Sequence, residues 1–266
     1  MDNKQIIYTI GYSLFQETNK FNIDLMFKTL QKYNVSYIVD VRSVPYSKQY
    51  PQCNAESLIF YGKQYNIPYI HIPELGAKAN PTQEVFSKAS EIFFTDIFPI
   101  PKSNRPEKKE LFGNEEIVDF QKFRNDEYFI DGLKRIKVAY EKQYTLALMC
   151  SEKDPINCHR YFLVSKGIEE RFDNRIKIEH IIKDQNENIT TIANDELDDK
   201  LVKMILNKDE IKKLDIFNST FFGPAIVDTY FGNTQKERLM DFCNRYWNLL
   251  HGWKKYDNTN STINYD

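Results

Sequence analysis

The chain alternates short apolar runs with segments whose apolar residues recur at every third or fourth position. Runs of β-branched and aromatic residues predict strands, and the longer spacing predicts amphipathic helices. The predicted strands are, in chain order, 5–11, 35–41, 68–76, 144–150 and 175–182. The predicted helices among them are 22–33, 55–65, 127–143 and one that begins at Asp154.

This alternation over the first 182 residues determines the predicted fold class. Strands that follow one another through a helix form right-handed crossovers and pair in parallel. The run 35–41 is apolar until Asp40, which is typical of a strand covered on both faces. We therefore predict an α/β fold: a doubly wound, mostly parallel sheet of about five strands with flanking helices.

Two stretches depart from the alternation. Residues 84–98 predict a helix, and the proline-rich, charged stretch 99–110 predicts an exposed excursion. Beyond residue 185 the chain is polar and turn-rich, then aromatic, and finally returns to helical spacing. The elements predicted there are two short charged helices reaching Leu214, an aromatic loop at 217–233 and a helix at 233–256.

These changes in composition and residue spacing define the predicted domain organisation. The α/β domain occupies 1–185, and a mainly helical appendage packed on it occupies 186–256. The last ten residues, 257–266, are polar and predict a disordered tail.

Composition narrows the class of protein. The hydrophobic fraction of 41% and the mean hydropathy of −0.58 are typical of a soluble globular chain. Because no apolar run approaches the ~18 residues of a membrane span, we expect a cytoplasmic protein without a membrane partner. Its four cysteines are then expected as thiols. The net charge of −2 excludes a global basic footprint, so nucleic acid would bind through a local patch.

Polar residues follow the predicted strands. In doubly wound sheets ligands bind outside the carboxyl ends of the strands, so these residues are expected to share one crevice. They are Gly11, Tyr12 and Ser13, then Asp40, Arg42 and Ser43, then His71 and Glu74, and finally Cys150 and Glu152.

The stretch "LALMCSEKDPINCHR", residues 146–160, concentrates reactive side chains behind an apolar strand. Asp154 followed by proline predicts the start of a helix, and Gly167 predicts its end. The helical spacing places Arg160 on the inward face, where its charge requires an anion. Two partners are open: Asp40, in a structural ion pair, or a bound phosphate or carboxylate.

The cysteines of this stretch also have alternative interpretations. Cys158, in the first turn of the predicted helix, is either a reactive thiolate or an inert core thiol, and Cys150 is interpreted as packing. A zinc site of Cys150, Cys158 and His159 is disfavoured, because the C-x-x-C spacing is missing and residues 158 and 159 diverge on a helix. We therefore expect neither a metal nor a cofactor.

The segments "YTIGYS", "IVDVRSVPYSK", "YIHIPELG" and "ALMCSEKDPINCHR", in this order, resemble the DUF488 family over roughly residues 6–182. The resemblance implies the α/β fold and the shared site, without naming a substrate. The family's characteristic positions fall on Thr9, Gly11, Ser13, Asp40, Arg42, Pro45, His71, Leu75, Gly76, Cys150, Glu152, Pro155, Cys158, His159 and Arg160.

The chain departs from the family pattern at three positions. Tyr12 stands where relatives usually have a histidine, and Ala77 and Lys78 stand where a glycine and an arginine are common. If that histidine is the family's base, the activity of this chain is lost or relocated to another residue.

The preferred hypothesis is an enzyme that binds a phosphate-bearing ligand, either a small molecule such as a nucleotide or a piece of nucleic acid. The residues predicted to be catalytic are Asp40, His71, Glu152 and Cys158. The residues predicted to bind the ligand are Gly11, Tyr12, Ser13, Arg42, Ser43, Glu74, His159 and Arg160.

Two other function classes stay open at this point. One is a non-catalytic module whose aromatic appendage binds a protein or single-stranded nucleic acid by stacking. The other is a thiol redox protein that uses Cys150 and Cys158. The sequence does not indicate an oligomeric state.

Overall fold

The computed structural model describes residues 5–17, 20–77, 84–92, 116–172, 176–205 and 234–252. They form two compact units. One contains the described residues up to 77 and those between 123 and 200, and the other contains the remaining described residues. The predictions for the stretch 99–110, the aromatic loop 217–233 and the tail 257–266 lie outside the described residues.

The regular elements of the described residues are numbered in chain order. The strands are β1 Gln5–Gly11, β2 Gln16–Glu17, β3 Lys20–Phe21, β4 Tyr37–Asp40, β5 Tyr69–His71, β6 Phe86–Lys88, β7 Glu116–Val118, β8 Leu146–Cys150, β9 Ile176–Lys183 and β10 Ile189–Ala193. The helices are α1 Ile23–Lys32, α2 Ala55–Tyr65, α3 Ala89–Ile92, α4 Phe120–Arg124, α5 Glu127–Glu141, α6 Lys166–Arg171, α7 Asn194–Ile205 and α8 Gln235–His251.

The main sheet has six strands in the order β10-β9-β1-β8-β4-β5. Its neighbouring strands are parallel except β9 and β10, which pair antiparallel. The predicted α/β fold with a mostly parallel sheet and flanking helices is therefore confirmed. The sixth strand, β10, was not predicted, because its threonines carry no apolar run and it pairs only at the sheet edge.

The apolar pattern explains how the helices cover the sheet. Ile10 of β1 and Met149 of β8 belong to a buried cluster with Met26, Phe27 and Leu30 of α1. Helix α1 begins where the Asn22 side chain accepts a hydrogen bond from Leu25 N at 3.0 Å. The predicted helices 22–33, 55–65 and 127–143 correspond to α1, α2 and α5.

Other predicted helices differ from the structure. Within the predicted helix 84–98, the described residues 84–92 form β6 and the short α3, because Ser87 pairs with Ile117 in an antiparallel ladder with β7. The final helix, α8, begins at a capping box of Thr234 and Glu237. Among the described residues, the charged segment after β10 forms a single helix, α7.

The register of the sheet aligns the ends of its central strands. Gly11 at the end of β1 lies opposite Cys150 at the end of β8, and Asp40 lies opposite His71. The carboxyl ends of these four strands thus meet at one edge, as the sequence predicted. None of the helices within the described ranges has the length and apolar character that crossing a membrane requires.

Candidate functional site

Four side chains meet where β8 ends: Cys150, Glu152, Cys158 and His159, here called the thiol cluster. The Oε2 atom of Glu152 lies 3.2 Å from Cys150 Sγ and 3.1 Å from Cys158 Sγ. The Nδ1 atom of His159 lies 3.5 Å from Cys150 Sγ and 3.9 Å from Cys158 Sγ. Both thiols are buried, whereas Glu152 is exposed. The cluster therefore faces solvent through its carboxylate.

The chain reaches this arrangement because its helix is interrupted at Cys158. Asp154 caps a single 3₁₀ turn, Pro155–Asn157, and Cys158 then has an extended backbone with φ −132° and ψ 140°. A π-helical turn, Arg160–Ser165, begins beyond it. The predicted continuous helix from Asp154 to Gly167 is therefore wrong, and the chain stays helical past Gly167 to the end of α6.

This interruption changes the geometry of the neighbours 158 and 159. On a regular helix their side chains would point in different directions. With Cys158 extended, both point toward Cys150, and the ligand atoms of Cys150, Cys158 and His159 all lie within 4.8 Å of one another. Of the two reasons for disfavouring a metal site, the divergence of residues 158 and 159 does not hold in the structure, whereas the C-x-x-C spacing is still missing.

His159 is oriented by the backbone of the neighbouring strand. Its Nε2 atom lies 2.9 Å from the carbonyl oxygen of Val41, directly after β4. Because a carbonyl only accepts, Nε2 carries a hydrogen and donates, so in the neutral ring the lone pair of Nδ1 faces the two thiols. The imidazole therefore presents an acceptor or metal-ligand nitrogen to the thiol cluster.

The titratable groups of the thiol cluster depend on one another. Burial raises the pKa of the Cys158 thiol. The hydrogen bond with Cys150 and the charges of Arg160 and His159 lower it by more, so the net pKa is well below its usual value. Burial and the hydrogen bond with Cys158 raise the pKa of Cys150. Burial lowers the pKa of His159, and the contact with Cys158 more than offsets this, so that it is raised.

Arg160 is fully buried and holds the loop that carries Glu152. Its Nη1 donates to the Glu152 carbonyl oxygen at 2.5 Å, and its Nη2 donates to that of Lys153 at 3.1 Å. Of the two partners left open for Arg160, the ion pair with Asp40 does not form, because the guanidinium donates to two backbone carbonyl oxygens. Gly11 belongs to the same contact: a Cβ there would lie 1.7 Å from the Glu152 carbonyl oxygen.

Asp40 instead pairs with Arg42 in a buried site. Arg42 Nε donates to Asp40 Oδ1 at 2.9 Å and Nη2 to Oδ2 at 2.6 Å, while Tyr69 donates to Oδ2 at 2.8 Å. Burial lowers the pKa of Arg42, but its bonds with Asp40 more than offset this and raise it. Arg42 Nη2 also donates to the Cys53 carbonyl oxygen at 2.7 Å. This bidentate pair fixes the chain where it leaves β4.

Other predicted site residues lie around Arg42. The Tyr12 ring is buried under its guanidinium at 5.2 Å, and His71 Nε2 lies 2.7 Å from its carbonyl oxygen. Ser43 lies against Gly76, where a Cβ would be 2.5 Å from Ser43 N. The buried Tyr12 side chain therefore packs against Arg42.

The remaining predicted residues lie on either side of the thiol cluster. Ser13 Oγ donates to the carbonyl oxygen of Ser151 at 2.5 Å and so holds the start of the loop. Ser151 in turn donates to Glu152 Oε1 at 2.8 Å. Glu74 forms an ion pair of 3.2 Å with Arg135 of α5, with no contact to the thiol cluster.

Residues 22–98 and 101–166 match the family described as a domain of unknown function, DUF488. The matched ranges cover more than half of the 266 residues. The chain belongs to the DUF488 family. No curated protein and no solved structure matches it.

The DUF488 match includes the whole thiol cluster and the Asp40–Arg42 pair, whereas Gly11 and Ser13 precede it. Sequence reasoning had assigned Cys150 to packing and had not used Ser151 or the Val41 carbonyl. One signal for Cys150 was present: C-x-E-x₅-C-H places two sulfur, one carboxylate and one imidazole donor within ten residues.

Proposed function

We propose that this DUF488-family chain is an enzyme built around a zinc ion held by Cys150, Cys158 and His159. The spacing of the donor atoms carries the proposal. Bonds of about 2.3 Å to sulfur and 2.0–2.1 Å to nitrogen separate neighbouring ligand atoms of a tetrahedral zinc by about 3.5–3.8 Å. The sulfur-to-nitrogen separations in the thiol cluster are 3.5 and 3.9 Å.

The donor types select the metal. Two sulfurs and an imidazole nitrogen favour zinc, whereas magnesium and calcium require oxygen ligands. The Val41 carbonyl supplies the outer contact that a metal-bound histidine ordinarily makes through its other ring nitrogen, at 2.9 Å from Nε2. The contact orients the ring so that Nδ1 lies toward the two sulfurs.

Glu152 marks the side on which chemistry takes place. Its Oε2 atom lies near both sulfurs, on the exposed side of the thiol cluster, where a catalytic zinc with three protein ligands keeps its fourth position for water. In the proposed hydrolytic step Glu152 would accept a proton from the attacking water, whose oxygen would bond to the substrate's electrophilic atom. The leaving group would depart with the electron pair of the broken bond and take the proton from Glu152. A zinc ion held by Cys150, Cys158 and His159 would lower the pKa of the water.

Metal analysis of the purified protein tests the ligand set. We expect one zinc per chain in the unmodified protein and in a Cys53→Ser control, since Cys53 is buried in a different site. Cys158→Ser and His159→Gln should lose the ion. A protein that neither contains zinc nor takes up cobalt(II) with sulfur-to-metal absorption would overturn the proposal.

Activity tests the role of Glu152 separately. Zinc-loaded protein is assayed against a panel of phosphate, carboxylate and amide esters beside the Glu152→Gln variant. The variant should retain its zinc and hydrolyse the best substrate about 10²–10⁴-fold more slowly, as expected for loss of a general base. Equal rates would exclude Glu152 as the base.

A second candidate function rests on the proximity of the two sulfurs. Cys150 and Cys158 are both free thiols of one cluster, so oxidation would join them with loss of two protons and two electrons to an oxidant such as a disulfide. Thiol counts before and after treatment with oxidised glutathione, on metal-free protein, test this. An unchanged count excludes the redox function and leaves the zinc proposal intact.

A further inference from the structure

A small hollow lies beside the thiol cluster, at the same edge of the main sheet. It has a volume of about 210 Å³ and is lined by Lys153, Lys183 and Lys200, with Leu14, Ile182 and Asp154 among its other walls. Lys183 ends β9 and Lys153 follows β8, so the hollow is at the carboxyl ends of these strands. Doubly wound sheets bind their ligands at this edge.

We propose that this lysine hollow binds the phosphate group of a small-molecule substrate, an inference that rests on the proposed zinc enzyme. Three lysine residues line the cavity together with one acidic residue, Asp154, whose carboxylate already accepts a hydrogen bond from Ile156 N at 3.0 Å. Among the described residues Lys200 has no carboxylate partner. Counting Asp154 and the Glu187 partner of Lys183 and Lys153, the described residues still leave the hollow with a net positive charge.

Among the described residues, Lys183 and Lys153 share one ion-pair partner, the exposed Glu187. Glu187 lies 3.0 Å from Lys183 Nζ and 3.9 Å from Lys153 Nζ, and its side chain is 67% exposed. Exposed pairs of this kind contribute little free energy. A phosphate dianion, which brings more charge and three acceptor oxygens, can displace Glu187 at small cost.

The volume of the hollow limits the size of the ligand that it can bind. Pockets that enclose whole small molecules measure about 300–1,000 Å³, and one water occupies about 30 Å³ of liquid. At about 210 Å³ the lysine hollow accommodates a phosphate group with some water, but not a whole nucleotide. The rest of the substrate would extend outside. A long nucleic acid needs several phosphate contacts, which three lysines in one hollow do not supply.

One loop joins the hollow to the thiol cluster. Glu152 belongs to the cluster and its neighbour Lys153 to the hollow, and Arg160 holds the carbonyl oxygens of both. The buried guanidinium thus fixes the base and one phosphate ligand relative to each other. A phosphate bound in the hollow would hold the rest of its molecule beside the proposed zinc.

Calorimetric titration with inorganic phosphate tests the hollow. Lys183→Gln and Lys200→Gln should each weaken phosphate binding about tenfold or more, as expected for loss of a charged hydrogen bond. The control Lys203→Gln, also on α7 but not lining the hollow, should bind normally. Cys158→Ser, which removes a zinc ligand, should also bind phosphate normally.

The outcomes separate this inference from the zinc enzyme. No saturable binding, or equal binding by Lys200→Gln and the unmodified protein, overturns the lysine hollow while the zinc content still decides the proposed function. Phosphate binding lost only in Cys158→Ser overturns it as well, because the anion would then bind the metal. Lysine-dependent binding of a single-stranded oligonucleotide without binding of phosphate would overturn the small-molecule assignment.

Discussion

The side chain of Arg160 donates to the carbonyl oxygen of Glu152 at 2.5 Å, and this contact positions the one exposed acid of the thiol cluster. The second nitrogen of the guanidinium holds the Lys153 carbonyl oxygen at 3.1 Å. Arg160 touches no reacting atom in this arrangement. It is a positioning residue whose buried charge fixes a loop.

Arg160→Met should destabilise the fold and loosen the loop. The carbonyl oxygens of Glu152 and Lys153 lose a charged donor, at about 1.5–3 kcal/mol each, so the free energy of unfolding in urea should fall by about 3–6 kcal/mol. Zinc affinity should fall about 10–100-fold, as for loss of an outer contact. The control Arg135→Met removes an exposed ion pair with Glu74 and should change stability by less than about 1 kcal/mol. Unchanged zinc affinity in Arg160→Met would contradict its positioning role.

Asp40→Asn should lower the free energy of unfolding without changing the zinc content. The change leaves Arg42 buried without its bidentate partner, which costs about 3–5 kcal/mol of unfolding free energy. Asp131→Asn, in an exposed pair with Lys134, should have almost no effect. Denaturation and zinc content are measured on the same samples. A stable Asp40→Asn protein that has lost all hydrolytic activity would instead support the predicted catalytic role of Asp40.

Gly11→Ala should disturb the thiol cluster through backbone contact alone. The new Cβ would lie 1.7 Å from the Glu152 carbonyl oxygen, so either the end of β1 or the loop must move. We expect the far-UV circular dichroism to be retained and zinc affinity to fall at least tenfold, in line with an altered outer contact. Normal zinc binding by a folded Gly11→Ala protein would show that the loop position is not essential.

His180 predicts a specific dependence of stability on pH. It is buried, with Nδ1 2.7 Å from Thr9 Oγ1 and Nε2 2.7 Å from Asn194 Oδ1. Burial lowers its pKa to about 3; the charges of Arg160 and Lys166 also lower it, while Asn194 and Cys158 act in the opposite direction. Below its unfolded pKa of about 6.5, only the unfolded chain takes up this proton. Stability should therefore fall by about 1.4 kcal/mol per pH unit as the pH drops from about 6.5 toward 3.

Urea denaturation between pH 7 and pH 4 measures this slope. Thr9→Val removes the hydroxyl that binds Nδ1 but leaves the titrating ring, so its slope should match that of the unmodified protein. His180→Gln should lose the contribution of His180 to the change in unfolding free energy with pH. If the slope of His180→Gln is unchanged, other groups govern the acid sensitivity.

The apolar pattern was sufficient for most of the sheet. β1, β4, β8 and β9 are short apolar runs, and α1, α2 and α5 each carry a clear helical face, so local sequence and tertiary structure agree. β10 was missed because pairing at the sheet edge, and not burial, makes Ile189–Ala193 a strand. Within the predicted helix 84–98, the described residues 84–92 differ for the same reason, since pairing with β7 makes Phe86–Lys88 a strand.

The sequence predicted that the strand ends meet at one edge of the sheet, but it did not predict the contacts among the side chains there. Asp–Pro at 154–155 signalled a helix start, but the pattern gave no sign that Cys158 would be extended. If the strand continued through Arg42, the side chains of Asp40 and Arg42 would lie on the same face but too far apart to form a bidentate ion pair. The chain leaves β4 at Asp40, whose Oδ1 accepts from Arg42 N at 3.0 Å, and this turn folds the guanidinium back onto the carboxylate.

X-ray absorption at the zinc edge, on protein loaded with one zinc per chain, tests the proposed centre most directly. The thiol cluster predicts two sulfur neighbours at about 2.3 Å and at least one nitrogen at about 2.0–2.1 Å, with the sulfur signal reduced in Cys158→Ser. A first shell made only of nitrogen and oxygen, or one unchanged by Cys158→Ser, would contradict a zinc ion held by Cys150, Cys158 and His159.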